Sequence, residues 1–297
     1  MNFLISGGTG FVGKHLCQSL QVKGHHTYIL TRSPLDYMNT KATTYIHYDY
    51  PIEELPPIEG VINLAGESLL GYWSQKKKEK MKSSRLETTD ALIQVMKQMK
   101  IKPNVFISGS AVGYYGTSED LIFTEATTSP GKDFLAEVVV EWEQVAKQAE
   151  ALGIRTIYTR FGLILGKEGS LPFMSLPVKL FAGGRIGNGE QWMSWIHIED
   201  VVRLIDYCLF NRQMEGAVNV TAPYPLRNKD FMRTLASVLK RPYWFTTPSP
   251  LIHAAIGEMG QLITKGQYVL PQKALDQGFE FKYPELVKAL EELTNYS

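Results

Sequence analysis

The chain has 297 residues, 31 Lys and Arg against 30 Asp and Glu, a formal net charge of +1, and 44% hydrophobic residues. That length suits one large α/β domain with an appendage, and so even a charge balance implies neither a nucleic-acid nor a membrane partner. Cys17 and Cys208, each inside an apolar helical pattern, argue against a disulfide framework and read as buried thiols of a cytoplasmic protein; no stretch has the form of a signal peptide or a bilayer span.

Residues 2–6 form a short apolar run of strand length, and Phe11, Val12, Leu16 and Leu20 then recur on one face of a helix ending near Gly24. Between them stands Gly7-Gly8-Thr9-Gly10-Phe11-Val12-Gly13, a G-x-x-G-x-x-G spacing. Gly7 permits a sharp exit from the strand, Gly10 lets a pyrophosphate approach the backbone, and Gly13 lets the helix pack closely. The N–H groups opening the helix, and the positive end of its dipole, face the phosphates. A tight turn in some other α/β fold is the weaker reading.

Residues 26–31 read as the second strand. An NAD site carries an acid at this strand end to grip the ribose 2′-hydroxyl. This chain has Thr31-Arg32-Ser33, whose guanidinium and hydroxyls suit a 2′-phosphate, so NADP(H) is expected in preference to NAD(H), unless Arg32 is a solvated strand-end charge. Residues 44–48 make a third strand ending at Asp49, an acid that either accepts from an adenine amino group or forms a turn. Residues 51–57 read as loop and 60–64 as the fourth strand, where Leu64 is followed by Ala65-Gly66, a small pair that lets a cofactor lie against the strand end. Residues 73–100 are a long helix with Lys76-Lys77-Lys78 as a solvated first turn and Arg85 and Thr88 on one face. Residues 103–108 are the fifth strand, running into Gly109 to Gly116. This alternation predicts an α/β fold with a doubly wound parallel (Rossmann) sheet, whose ligands lie at the carboxyl ends of its strands. Ser108, Ser110, Tyr114 and Tyr115 are then expected at the mouth of the site.

Residues 154–159 form a sixth strand leading into Arg160-Phe161-Gly162. Residues 170–181 read as a helix or lid, and Gly183, Gly184, Gly187 and Gly189 as turns around a hairpin. Trp195 is expected to pack; Trp192 packs or lines a pocket. His197 opens a helix that Asp200 helps to cap, and it serves either as a backbone-bonded structural residue or as a general base. It has no Cys or His companions at metal-ligand spacing, and no metal is expected. A helix over 228–239 with an Asn cap, a proline-rich crossing over 242–250, a short helix over 251–259 and a last helix from Pro284 complete the chain. The division expected is a dinucleotide-binding core of residues 1–165, to which 197–221 return, and a smaller α+β substrate or lid region of 166–196 and 222–297.

The glycine-rich turn, Asn63-Leu-Ala-Gly66, Ser108-Gly-Ser-Ala-Val112 with Tyr115-Gly116, and Trp195-Ile-His-Ile-Glu-Asp-Val201 resemble the extended short-chain dehydrogenase/reductase family, in its nucleotide-sugar epimerase and dehydratase branch. The resemblance implies hydride transfer at a nicotinamide, with Phe161 and Gly162 beside it, a Ser or Thr after the fifth strand, and Tyr-x-x-x-Lys on the next helix. Ser110 matches the serine. The pair is missing: that helix reads Asp133-Phe-Leu-Ala-Glu-Val-Val-Val-Glu-Trp-Glu143, no tyrosine stands between Tyr115 and Tyr158, and Phe134 has no proton to give. This departure, with Trp73, Ser84-Arg85, Thr88, Gly187 to Trp195, and Val269-Leu-Pro-Gln-Lys273 before Gly278-Phe279, is similar to the atypical subgroup usually labelled "epimerase family protein".

The expectation is an NADP(H)-binding atypical short-chain dehydrogenase/reductase. It would be a nucleoside-diphosphate-sugar epimerase or carbonyl oxidoreductase acting on a small-molecule substrate such as a nucleotide sugar. Ser110 and Tyr115 are the candidate catalytic residues. The candidate cofactor residues are Gly7, Thr9, Gly10, Phe11, Val12, Gly13, Arg32, Ser33, Asp49, Leu64, Ala65, Gly66, Ser108, Phe161 and Gly162. The alternative is a catalytically inactive NADP(H)-sensing regulatory protein. Family dimers use the helices flanking the fifth strand, here residues 75–100 and 133–152; since Val138-Val139-Val140 suit an interface or a core, both monomer and homodimer stay open.

Overall fold

The computed structural model describes residues 1–294. Strand β1 (Asn2–Ser6) is buried along nearly its whole length. Successive side chains of a strand point to opposite faces. Phe3 and Ile5 therefore join one apolar cluster with Leu16 and Leu20, while Leu4 joins another with Leu92, Ile93 and Met96. An unbroken apolar run of this kind signals a parallel sheet covered on both faces.

The chain continues through α1 (Phe11–Val22), β2 (His26–Leu30), β3 (Thr43–Ile46), β4 (Gly60–Asn63), α2 (Gln75–Gln98) and β5 (Val105–Ala111). Next come β6 (Ile122–Phe123), α3 (Phe134–Ala146), β7 (Arg155–Phe161), β8 (Leu163–Leu165), α4 (Ser170–Lys179) and β9 (Gly184–Ile186). Then follow β10 (Trp192–Met193), β11 (Trp195–His197), α5 (Ile198–Phe210), β12 (Gly216–Val220), β13 (Leu226–Arg227) and α6 (Asn228–Val238). The last elements are β14 (Phe245–Thr247), α7 (Ser249–Ile256), α8 (Gln261–Thr264), β15 (Tyr268–Val269), α9 (Gln272–Asp276) and α10 (Leu286–Thr294).

Seven strands form one parallel sheet in the order β12-β7-β5-β4-β1-β2-β3. The direction of winding reverses between β1 and β4. That switch point opens a crevice at the strands' carboxyl ends, and the glycine-rich turn stands there. Helices α1 and α5 pack together on one face, α2 and α3 on the other. Val138 and Val139 are buried within this layer. No helix among the described residues is long and apolar enough to cross a membrane.

The smaller region is built from strand pairs rather than a hairpin. β9 pairs in parallel with β14, about sixty residues on, and β10 pairs antiparallel with β13. The hairpin expected around Gly183 to Gly189 is therefore corrected: its glycines turn the chain, but its strands find partners elsewhere. A third apolar cluster places Trp195, fully buried, among Phe231, Leu235, Leu286 and Leu290.

Two capping expectations are also corrected. Helix α5 is capped by His197, whose Nδ1 accepts the Glu199 N–H, and not by Asp200. Helix α6 has no side-chain cap; Asn228 Oδ1 instead accepts the Ile186 N–H and ties α6 to β9. Asp200, fully buried, accepts the N–H groups of Lys282 and Tyr283 at 2.8 Å each and pairs with Arg203 at 3.0 Å. Asp200→Ala strands two amides and is expected to cost about 3 kcal/mol or more, read as a lowered urea midpoint.

Candidate functional site

Gly7 leaves β1 with φ +74°, a region that L side chains avoid, and a Cβ there would lie 2.5 Å from the Leu64 carbonyl carbon and 2.6 Å from the Ala65 nitrogen. The exits of β1 and β4 thus touch backbone to backbone. A Cβ on Gly13 would come within 2.2 Å of the Gly7 oxygen, so α1 sits directly on the turn. Gly10 is different: it is exposed, and a Cβ there would meet only the Gly7 oxygen, at 3.3 Å. No side chain caps the start of α1 at Phe11 and Val12, and its first turn carries no acid. Open backbone beside uncapped N–H groups at the positive end of a helix is able to receive an anion. Thr9 is half-buried in the same turn.

Around this turn stand the other candidates. Arg32 and Ser33 are exposed beyond β2, and among the described residues Arg32 has no hydrogen-bond or ion-pair partner. Its charge acts on the Tyr48 hydroxyl, which burial pushes above the ordinary tyrosine pKa. Asp49 is exposed in the turn after β3 and pairs with His47. Leu64 and Ala65 are half-buried and Gly66 exposed, with the Leu64 N–H donated to the Ser6 carbonyl. Phe161 and Gly162 are half-buried at the end of β7, where a Cβ on Gly162 would come within 2.4 Å of the Ser194 oxygen. The Phe11 ring reaches Gly166 and Gly169, joining the first turn of α1 to the approach to α4.

A buried polar chain supports the crevice. Ser6 Oγ donates to Asn63 Oδ1 at 2.6 Å, Asn63 Nδ2 donates to Thr89 Oγ1 at 2.8 Å, and Trp142 Nε1 donates to the same hydroxyl at 2.9 Å. Arg85 lies over Trp142, and its Nη1 donates to the Glu67 carbonyl at 3.1 Å, under Gly66; burial holds its pKa down. On α2, Thr89, one turn on from Arg85, is the residue bonded into this chain, its hydroxyl donating to the Arg85 carbonyl at 2.6 Å.

The catalytic candidates follow the end of β4, whose last residue Asn63 pairs with Ser108, and they are largely buried there. Strand β5 runs to Ala111, so Ser108 and Ser110 lie inside it, 1% and 2% exposed. Ser110 stands beside Arg160 of β7 in register, and Ser110 Oγ donates to Glu143 Oε1 of α3. Arg160 holds the same carboxylate through Nε and Nη2, each at 2.8 Å. Arg160 Nη1 also donates to the Tyr115 hydroxyl at 3.0 Å, and Tyr115 donates to Asn219 Oδ1 at 2.8 Å. The guanidinium carbon lies 3.4 Å from the centre of the Tyr114 ring. Burial pushes the Tyr115 phenol pKa up, against the pull of Arg160; burial drags the Arg160 pKa down, but Glu143 outweighs it and the net is upward. Ser110 and Tyr115 are thus brought together, yet their protons are committed to internal acceptors. A buried phenol of raised pKa is a poor base near neutrality.

Sequence reasoning missed Glu143, Arg160, Asn219 and Thr89. One signal was available: Arg160 directly follows the expected strand over 154–159, and a charge carried into a buried sheet requires a partner. His197, 2% exposed, caps α5 and donates from Nε2 to Glu292 at 3.0 Å, a structural tie. Trp192 is half-buried, with Arg227 3.9 Å over its ring and its Nε1 donating to the Glu119 carbonyl. Among the described residues no group of three or more His, Cys, Asp or Glu is placed to hold a metal ion.

The sequence model of the NAD dependent epimerase/dehydratase family matches residues 3–221, and a domain of unknown function, DUF1731, matches 247–293. The epimerase family protein YfhF of Bacillus subtilis is 45% identical over 297 residues, covering 99% of this chain and 98% of that protein. The chloroplastic epimerase family protein SDR39U1 homolog of Arabidopsis thaliana is 38% identical, covering 98% of this chain and 86% of the relative. The crystal structure of human epimerase family protein SDR39U1 with NADPH matches all of both chains at TM-score 0.90 and 31% identity. That of a nucleoside-diphosphate sugar epimerase from Corynebacterium glutamicum matches at TM-score 0.80 and 28% identity, covering all of this chain and 59% of that one.

Glu143→Leu leaves Arg160 buried without its carboxylate and is expected to cost about 3–5 kcal/mol, whereas Tyr115→Phe removes one shared hydroxyl and costs about 1–3 kcal/mol, both measured by urea unfolding. Burial lowers the His197 pKa, although Glu292 opposes it. The unfolded chain then takes up this proton first, so stability is expected to fall as pH drops below about 6.5. His197→Gln should flatten that part of the unfolding profile.

Proposed function

The chain belongs to the NAD dependent epimerase/dehydratase family, and on that premise we propose that it binds NADP(H) across the glycine-rich turn and uses it on a small carbonyl or nucleotide-sugar substrate. The observation that carries this reading is the open backbone at Gly10 beside the uncapped start of α1, with Arg32 free beyond β2. In this reading Gly7 to Gly13 cradle the pyrophosphate and Arg32 and Ser33 take the 2′-phosphate. Asp49 meets the adenine, while Leu64 to Gly66, Ser108, Phe161 and Gly162 shape the floor and the nicotinamide end. The human relative of the same fold was solved with NADPH, which supports the choice of cofactor. The cofactor supplies a hydride acceptor or donor; the chain binds and orients it and keeps water from the strand ends. A cytoplasmic setting belongs to the same reading, supported by two unpaired thiols that burial pushes up to about 12.

The closed Ser110–Glu143–Arg160–Tyr115 network favours a second reading, an NADP(H)-sensing protein without turnover. NADPH consumption with any member of a carbonyl and nucleotide-sugar panel supports the enzyme; its absence, with tight NADPH binding retained, supports the sensor. Calorimetry tests the cofactor itself. Arg32→Ala is expected to weaken NADPH by ten- to a hundredfold, about 1.5–3 kcal/mol for charge-assisted bonds, and to leave NADH almost unchanged. Equal losses for both cofactors would remove the assignment to NADP(H).

A further inference from the structure

A second cationic site lies in the smaller region, built from β9, α6 and β14, none of which contributes to the glycine-rich turn. A cavity of about 190 Å³ opens there, lined by the cations Arg185, Lys229 and Arg233 and the aromatics Tyr243, Trp244 and Phe245, with Arg233 5.4 Å over the Tyr243 ring. Gly189 brings the first two together: it turns at φ +76°, and a Cβ there would lie 2.8 Å from Lys229 Cβ and 3.2 Å from Arg185 Cβ. The cofactor reading leaves this Gly187-to-Glu190 segment unused.

The hydroxyl of Tyr243 is buried, yet it has no hydrogen-bond partner among the described residues. Such an orphan is uncommon and calls for an explanation. Arg233, Arg185 and Lys229 all act on it electrostatically, opposing the rise in pKa that burial causes. Two of these cations are partly spoken for: Lys229 pairs with Glu190 at 2.6 Å and Arg233 with Asp230 at 3.0 Å. Arg185, exposed, has no ion pair or side-chain hydrogen bond among the described residues, so the cluster keeps an excess positive charge. Beside it Trp244 is 75% exposed and Phe245 51% exposed, although large aromatics are normally covered.

We propose that this pocket binds a phosphate monoester, with the phosphate accepting from the Tyr243 hydroxyl and Arg185 while the organic ring lies on Trp244 and Phe245. The donors present are those that recognise phosphate, a planar guanidinium fork and a neutral hydroxyl, and exposed aromatic rings suit an organic ring. The volume is below that of a drug-sized pocket, which limits the ligand to a small one.

The test is a titration with inorganic phosphate and phenyl phosphate, by calorimetry and by tryptophan fluorescence, on protein with and without saturating NADPH. Trp244→Phe identifies the reporting indole. Saturable binding that persists with NADPH present is expected, tighter for phenyl phosphate than for inorganic phosphate. Tyr243→Phe should weaken phenyl phosphate roughly tenfold while leaving the unfolding midpoint unchanged or raised, since the lost hydroxyl has no internal partner. Arg185→Gln should weaken both ligands. If neither ligand saturates, if NADPH displaces them, or if Tyr243→Phe leaves affinity unaltered, the proposal fails. NADPH affinity is expected to be the same in all three variants, so the pocket and the cofactor site can fail independently.

Discussion

The contact of Gly7 with the backbone of Leu64 and Ala65 is the constraint on which the crevice depends. Two adjacent parallel strands leave the sheet in opposite directions, and their exits can close on each other only where one has no side chain. Gly13 extends the same contact to α1, whose first turn rests on the Gly7 carbonyl. Together these positions fix the start of α1 against the switch point of the sheet. The helix dipole and its unpaired N–H groups thus acquire a fixed direction, while Gly10, not needed for packing, is left open.

Behind that crevice the interior is more polar than its apolar runs suggest. One chain of hydrogen bonds links β1, β4, α2 and α3 through Ser6, Asn63, Thr89 and Trp142. Another links β5, α3, β7 and β12 through Ser110, Glu143, Arg160, Tyr115 and Asn219. Asn219 passes the second network on, donating from Nδ2 to the Leu270 carbonyl and from its N–H to Glu125, whose carboxylate also accepts the Lys273 N–H. The C-terminal segment is thereby fastened to the sheet edge. A buried ion pair is costly to desolvate, and here every donor of the Arg160 guanidinium that reaches inward finds an oxygen or an aromatic face.

This wiring gives the polar residues of β5 and α3 fixed internal partners. Ser110 lies within β5, and Glu143 on the neighbouring helix accepts its hydrogen bond. The helix that lacks the Tyr-x-x-x-Lys pair carries Glu143, whose carboxylate is bonded to Ser110 and Arg160 of the sheet. The absence of that pair and the Ser110–Glu143 bond thus fall on the same two elements, α3 and β5. Phe11, wedged against Gly166 and Gly169, meanwhile connects the glycine-rich turn to the smaller region.

The amino-acid sequence alone determined those features that depend on neighbours in the chain. The strand, glycine-rich turn and helix at the amino terminus, the parallel doubly wound sheet and the absence of a phenol on α3 are all local, because strand and helix periods and glycine spacing act over a few residues. What lay beyond its reach were pairings set by distance in the chain. Glu143 is 33 residues from Ser110, and Asn219 is 104 from Tyr115. β9 finds β14 rather than its near neighbour, and Asn228 and Asp200 leave their helix ends for partners elsewhere. A polar side chain in an apolar run reveals that it needs a partner. Only the folded chain decides which one, since burial and geometry, not proximity in sequence, select among the candidates.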